Sequence, residues 1–353
     1  MAEPLKTSIG IWSFGPLHSR FVPDGYHPES GDERPVERAR RVASGLHDLY
    51  DGMELRYPED IDEDNASDIA AAIKPMDVYT IVSGGHGTSP HSRGALTNPD
   101  RTTRDEAKAA NRRLIELASE LSARVTLWLA CDAYAYPFQV DYVSQWGMLL
   151  DGIADALDRA NDLGVSIFLA HTGGDPGMRS YLRGTGMGLY VVSKLAAMGL
   201  DVSRLKLAID WQDVAAMGEN LAERLELLSM EGLLGHQHAN GGGSAGDPDN
   251  IVGIGGFLET LEAARSLRKV GYGDNGERLG FDICPRTEDP ILAARHTLLQ
   301  WTFIDDLCSR LEEDLLEEAQ ARKDALGAMR LVFQALGMDA NALRLISGVP
   351  VKA

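Results

Sequence analysis

A chain of 353 residues is long enough for one large α/β domain or two ordinary ones. Its 44% hydrophobic and 25% charged residues suit a globular protein in water, and a net charge of −19 with no basic stripe argues against a nucleic-acid partner. No apolar stretch is long enough to span a bilayer, and the opening Met-Ala-Glu-Pro-Leu-Lys does not read as a signal peptide. Cys131, Cys284 and Cys308 are too scattered for a disulfide framework or a zinc ribbon, so a cytoplasmic protein with no membrane partner is expected.

Taken in chain order, eight short apolar runs alternate with amphipathic segments. Strand-like residues 8–13 precede helix-like 35–47, and 52–56 precede 66–74. Next come 78–82 with 103–121, 125–130 with 142–163, and 165–170 with 188–198. The last three pairs are 205–209 with 214–228, 233–239 with 257–270, and 279–284 with 290–311. Several of the apolar runs are continuous rather than alternating, as strands buried on both faces are. Eight such units predict an α/β fold, a (β/α)₈ TIM barrel over residues 1–311. No Gly-x-Gly-x-x-Gly follows the first strand, which disfavours the competing doubly wound sheet. Residues 312–353 are expected to form a C-terminal helical extension, with one helical run over 314–336 packed on the barrel or on a neighbouring subunit.

The segments 16–33, 84–102, 172–186 and 241–253 are longer than plain turns, and in a barrel they lie on the C-terminal face where active sites form. Potential metal ligands sit at successive strand ends. His171 ends the fifth run, Asp210 the sixth, His236 and His238 lie in the seventh, and Asp282 in the eighth. A carboxylate on an apolar strand is costly unless paired, hydrogen-bonded or metal-bound. Neighbouring strand ends of a barrel converge, so His171, Asp210, His238 and Asp282 can surround one ion. Two imidazoles with two carboxylates suit Mn²⁺, Co²⁺, Zn²⁺ or Mg²⁺. Asp213, Asp247 and Asp249 form a second acidic group, read either as ligands of a second cation or as an N-cap and a turn. Trp12 and Trp128 stand at ends of the first and fourth runs, where they offer apolar walls for a sugar ring or pack the core. His86, Asp132 and His236 are candidates for acid–base work on the same face, with Glu54, Arg56 and His91 as further polar residues.

At these residues the chain resembles the xylose isomerase-like family of sugar isomerases and epimerases. The likeness runs from Gly10-Ile11-Trp12-Ser13-Phe14-Gly15 to Phe281-Asp282 and Arg286-Thr287-Glu288-Asp289, with His236-Gln237-His238-Ala239-Asn240-Gly241 between them. The resemblance implies a divalent metal at His171, Asp210, His238 and Asp282, with Asp213, Asp247 and Asp249 at the positions of a second cation's ligands. It also implies a carbohydrate substrate, with Trp12, Trp128, Asn240 and Arg286 among the residues binding it, and a homo-oligomer. Two departures stand out: His171 and Gly173 occupy positions where the family usually has a Glu ligand and a catalytic Lys. A metal-dependent isomerase or epimerase acting on a monosaccharide or keto-sugar is therefore expected. The alternatives are a lyase subunit that cleaves 3-keto-glycosides with a second subunit, and a catalytically degenerate sugar-binding paralogue.

Overall fold

The computed structural model describes residues 5–84, 89–172, 177–242 and 249–338. Ten strands occur in them: β1 (Thr7–Gly10), β2 (Gly52–Tyr57), β3 (Asp77–Ser83), β4 (Arg124–Trp128), β5 (Ala133–Tyr134), β6 (Ile167–Ala170), β7 (Arg179–Ser180), β8 (Leu205–Asp210), β9 (Leu234–Ala239) and β10 (Leu279–Phe281). Eight of them close into a parallel barrel in the order β1-β10-β9-β8-β6-β4-β3-β2. These are the eight apolar runs, each shifted at its ends by a residue or a few. The chain is thus a TIM barrel. The remaining two strands, β5 and β7, form a two-stranded antiparallel ribbon. It follows β4 and β6, so it stands on the C-terminal face; two-residue strands carry no periodicity by which to foresee them.

The helices are α1 (Pro35–Leu46), α2 (Ala66–Ala72), α3 (Arg101–Glu120), α4 (Tyr142–Leu163), α5 (Thr185–Ala197), α6 (Trp211–Ala216), α7 (Leu221–Met230), α8 (Phe257–Lys269), α9 (Pro290–Cys308), α10 (Glu313–Ala321) and α11 (Ala325–Ala335). Their starts follow local chemistry. Asp100, Asp141 and Asp289 each accept a backbone N–H of the first turn of α3, α4 and α9. Pro290 then occupies the first position of α9, where its missing N–H costs nothing. Two predicted single helices are each split in two. Residues 214–228 divide into α6 and α7 because Gly218 adopts φ +73°, and 314–336 divide into α10 and α11 at Lys323, φ +54°. The tail packs on the core through Val332 and Leu336 of its second helix and the turn after it, Leu316 and Ala319 are buried, and Arg265 of α8 donates to the Glu313 carboxylate at 2.7–3.0 Å.

Between strands and helices lies an apolar shell in which Ile9, Met53, Leu55, Ile81, Leu127, Ile153 and Leu225 are fully buried. Each such side chain contributes about 1.5–3 kcal/mol. The barrel interior differs: Ser8, Glu54, Thr80, Thr126 and His236 are at most 1% exposed, and all but Thr126 fully buried. These polar groups are paired with one another. The Ser8 hydroxyl donates to Glu54 Oε1 at 2.7 Å, and the Thr80 and Thr126 hydroxyls meet at 3.0 Å. A polar interior leading to one end of the barrel positions the site. Among the described residues no helix is long and apolar enough to cross a membrane.

Candidate functional site

Strand register brings the acidic and imidazole residues together. Asp210 on β8 pairs in register with His238 on β9, and Gly280 of β10 pairs with His238 from the other side. Asp282 follows β10 directly. Ligand atoms of Asp210, His238 and Asp282 consequently lie within 4.8 Å of one another. His238 Nδ1 faces Asp282 Oδ2 at 3.5 Å. These residues line one cavity at the C-terminal end of the barrel, together with Trp12, Arg56, Thr126, Trp128, His171, Thr172, Asp213 and Asp249.

Each carboxylate in the group is braced. Asp210 is the N-cap of α6: its Oδ1 accepts the N–H groups of Gln212 and Asp213 at 3.0 and 3.1 Å. Its Oδ2 accepts Asn240 Nδ2 at 2.9 Å, and the same amide donates to Asp249 Oδ1 at 2.9 Å. Asp249 holds a backbone φ of +40° in the loop after β9. Asp282 Oδ1 accepts the Trp12 indole N–H at 2.6 Å, a charge-assisted bond that fixes both groups. Trp12 stands edge-on to His238, with ring centroids 5.9 Å apart, and Arg56 lies over its face at 5.8 Å. Gly10 lacks a side chain because a Cβ there would stand 2.3 Å from that indole.

Below this layer His238 Nε2 contacts Glu54 Oε2 at 3.0 Å, and His236 Nε2 contacts both Glu54 oxygens at 3.0–3.1 Å. Burial disfavours the charge on Glu54, but the two imidazoles outweigh it and hold the carboxyl below its usual range. Burial likewise opposes a charge on His238. Glu54, then Asp282 and Asp210, overcome that and raise its pKa to about 10. His236, fully buried, is pushed down by desolvation and stays neutral.

His171 differs from every other histidine of the site. It is 5% exposed, and neither ring nitrogen has a hydrogen-bond partner. Burial pushes its pKa down to about 4, so the ring is neutral at pH 7. A buried polar group left unsatisfied costs about 1–3 kcal/mol. A neutral imidazole facing a cavity that also holds Asp210, His238 and Asp282 is the donor set a divalent cation takes. The residues present therefore fit a metal.

The structure sorts the other expected site residues. Trp12, Trp128, Asp213 and Asp249 line the cavity. His86 and Asp247, with Gly173, lie outside the described residues. The Asp132 carboxylate is buried and accepts the N–H groups of Ala95, Leu96 and Thr97 and the Thr97 hydroxyl at 2.6–3.4 Å, which commits it to holding that loop. His236 lies beneath the cavity rather than in it, on Glu54. Asn240 braces Asp210 and Asp249. Arg286 follows β10, directs Nη1 to the Cys284 carbonyl at 3.5 Å, and is not among the lining residues. Sequence reasoning noticed Glu54 only as a polar residue of the right face. Its partners are 182 and 184 residues away, so no local signal could identify them.

No curated protein sequence matches the chain. Among solved structures, L-ribulose 3-epimerase is 16% identical, with a TM-score of 0.62 over 87% of this chain and 96% of its own. The 3-keto-D-glucoside 4-epimerase YcjR from E. coli is 17% identical, with a TM-score of 0.60 over 85% of this chain and all of its own. The D-psicose 3-epimerase of Clostridium cellulolyticum H10 is 15% identical, at 0.60 over 85% and 99%. At such identities these likenesses establish the fold. Residues 43–272, the greater part of the chain, match the family described as the xylose isomerase-like TIM barrel, and the protein belongs to that family.

Proposed function

We propose that the protein is a divalent-metal-dependent isomerase or epimerase acting on a monosaccharide or keto-sugar. The observation that carries this reading is the convergence of Asp210, His238 and Asp282 in a cavity where His171 presents two unpartnered ring nitrogens. In this proposal those four residues hold the ion, and Asp213 and Asp249 are further carboxylates available to a second one. A bound cation there would polarise adjacent substrate oxygens and acidify the C–H between them.

The chain's own groups supply the rest. In this proposal Asp282, oriented by the Trp12 N–H on its Oδ1, takes up and returns a substrate proton. Trp12 and Trp128 offer apolar walls to the sugar. Arg56, paired with Asp60 at 3.2 Å, is the one Lys or Arg side chain among the described lining residues. Among the described residues no lysine lines the cavity to polarise a substrate carbonyl, which favours a substrate activated by the ion alone. The keto-sugar epimerases similar in fold are consistent with such a substrate. On α9 the exposed Leu292, Leu299 and Phe303 share a helix face, which supports a homo-oligomer.

The test is to incubate Mn²⁺-loaded protein with ketohexoses and with a 3-keto-glucoside, following products by NMR in D₂O. Epimer or isomer formation with solvent deuterium at the reacting carbon is expected. Release of the aglycone from the 3-keto-glucoside would instead make the protein a lyase, and no reaction with any sugar would contradict the proposal.

A further inference from the structure

We propose that Glu54 is the positioning residue that holds the Nε2 proton of His238, so that Nδ1, the nitrogen facing Asp210 and Asp282, is the one that gives up its proton to a cation. The consequence for metal binding rests on the function proposed above; the geometry does not.

Glu54 sits on β2 at a register shift against β3, between Met53 and Glu54, and is fully buried inside the barrel. Three donors converge on its two oxygens. They are the Ser8 hydroxyl at 2.7 Å, His236 Nε2 at 3.0–3.1 Å and His238 Nε2 at 3.0 Å. An ionised carboxylate only accepts, so each imidazole nitrogen facing it must carry a hydrogen. In the neutral ring the other nitrogen is then the lone-pair side. For His238 that nitrogen is Nδ1, which points at Asp282 Oδ2 and into the group formed with Asp210.

His236 helps through Glu54 rather than through the site. Its ring is held between Phe168, stacked at 5.6 Å, and Tyr79 at 5.3 Å, and its Nδ1 is buried with no partner. It therefore has no second use for its proton, and it pins the Glu54 carboxylate on the side away from the cavity. Gly280 leaves room for the pair: a Cβ there would stand 2.3 Å from Glu54 Oε1 and 2.6 Å from His236 Cε1. Glu54, His236 and His238 also form a group that could in principle take an ion themselves. Contacts of 3.0–3.1 Å directly between the ligand atoms are those of hydrogen bonds, and they already use both Nε2 atoms and both oxygens.

The experiment uses the full chain labelled with ¹⁵N at histidine, examined without metal and with Zn²⁺, alongside Mn²⁺ titration calorimetry. The His238 signals are identified by their loss in His238→Gln. A proton on His238 Nε2 in both states is expected. Glu54→Gln, which replaces one acceptor by a donor at equal volume, is expected to weaken Mn²⁺ binding about 10–100-fold with an unchanged near-UV spectrum. Asp210→Asn serves as the ligand-loss control. A wild-type His238 with Nε2 unprotonated, or a folded Glu54→Gln variant that binds Mn²⁺ as tightly as the wild type, would overturn the role of Glu54. If Glu54→Gln does not fold, the wild-type spectra alone decide. If the wild type binds no Mn²⁺, the proposed function fails, and the same spectra still decide the role of Glu54.

Discussion

Gly280→Ala tests whether the buried layer under the site is built as described. Gly280 lies on β10 in register with Ser8 on one side and His238 on the other. An added methyl would stand 2.3 Å from Glu54 Oε1 and 2.6–2.7 Å from the His236 ring, against 3.4 Å or more for ordinary contact. Glu54 would have to retreat by about 1 Å, yet it and His236 are fully enclosed. Overpacking of this kind costs about 1–3 kcal/mol. Weakening a hydrogen bond to the charged carboxylate adds about 1.5–3 kcal/mol. A destabilisation of about 3–5 kcal/mol corresponds at this chain length to a fall of about 4–7 °C in Tm. Gly147→Ala is the matched control: it lies inside α4 with nothing within 4 Å of the new methyl, and is expected to stabilise by about 0.5–1 kcal/mol. Both are read by thermal and urea unfolding of the metal-free protein. A Gly280→Ala variant as stable as the wild type, with unchanged Mn²⁺ affinity, would refute the packing of Glu54 and His236 beneath His238.

Other outcomes follow from the same geometry. Trp12→Phe keeps the apolar wall but removes the N–H on Asp282, and a loss of about 10–100-fold in turnover is expected from a charge-assisted bond worth about 1.5–3 kcal/mol. Steady-state kinetics on the sugar that proves to be the substrate would check this, and unchanged turnover would mean that Asp282 needs no such orientation. His171, held neutral down to about pH 4, binds its proton more readily in the unfolded chain. Stability of the metal-free protein should therefore fall as pH drops from about 6.5 towards about 4, by up to about 3 kcal/mol. His171→Gln should flatten that slope in urea unfolding; an equal slope in both proteins would contradict the burial of a neutral His171. Light scattering should report a homo-oligomer that Leu299→Glu with Phe303→Glu converts to monomers, whereas a monomeric wild type would leave the α9 face without that role.

The barrel was legible because its strands are short, continuous apolar runs separated by amphipathic segments, a pattern that depends only on local composition. Helix boundaries were legible where a cap was written beside them, as at Asp289-Pro290. They were misread where a single backbone angle breaks an otherwise periodic run, at Gly218 and Lys323. Asp210, His238 and Asp282 were nameable because they lie at the ends of successive strands, and the pairing of β8, β9 and β10 brings them together. What could not be read was the division of labour among polar side chains. Asp132 reads in sequence like any strand-end carboxylate, and only the fold shows that four donors of residues 95–97 consume it. Glu54 in Met-Glu-Leu looks like one alternating strand position. Its meaning comes from histidines on β9, three strands away around the barrel.

The most direct measurement is calorimetric titration of metal-free protein with Mn²⁺, with thermal unfolding in the presence and absence of EDTA. Bound ion at about one hundred times its dissociation constant should stabilise the fold by about 2.7 kcal/mol. The affinity should weaken as pH falls, because protons compete for the imidazole and carboxylate ligands. Saturable binding that Asp210→Asn and His171→Ala both weaken, with a Tm that drops on adding EDTA, is the expected result. A wild-type protein that binds no divalent cation, and whose unfolding is indifferent to EDTA, would contradict the metal centre on which the proposed function stands.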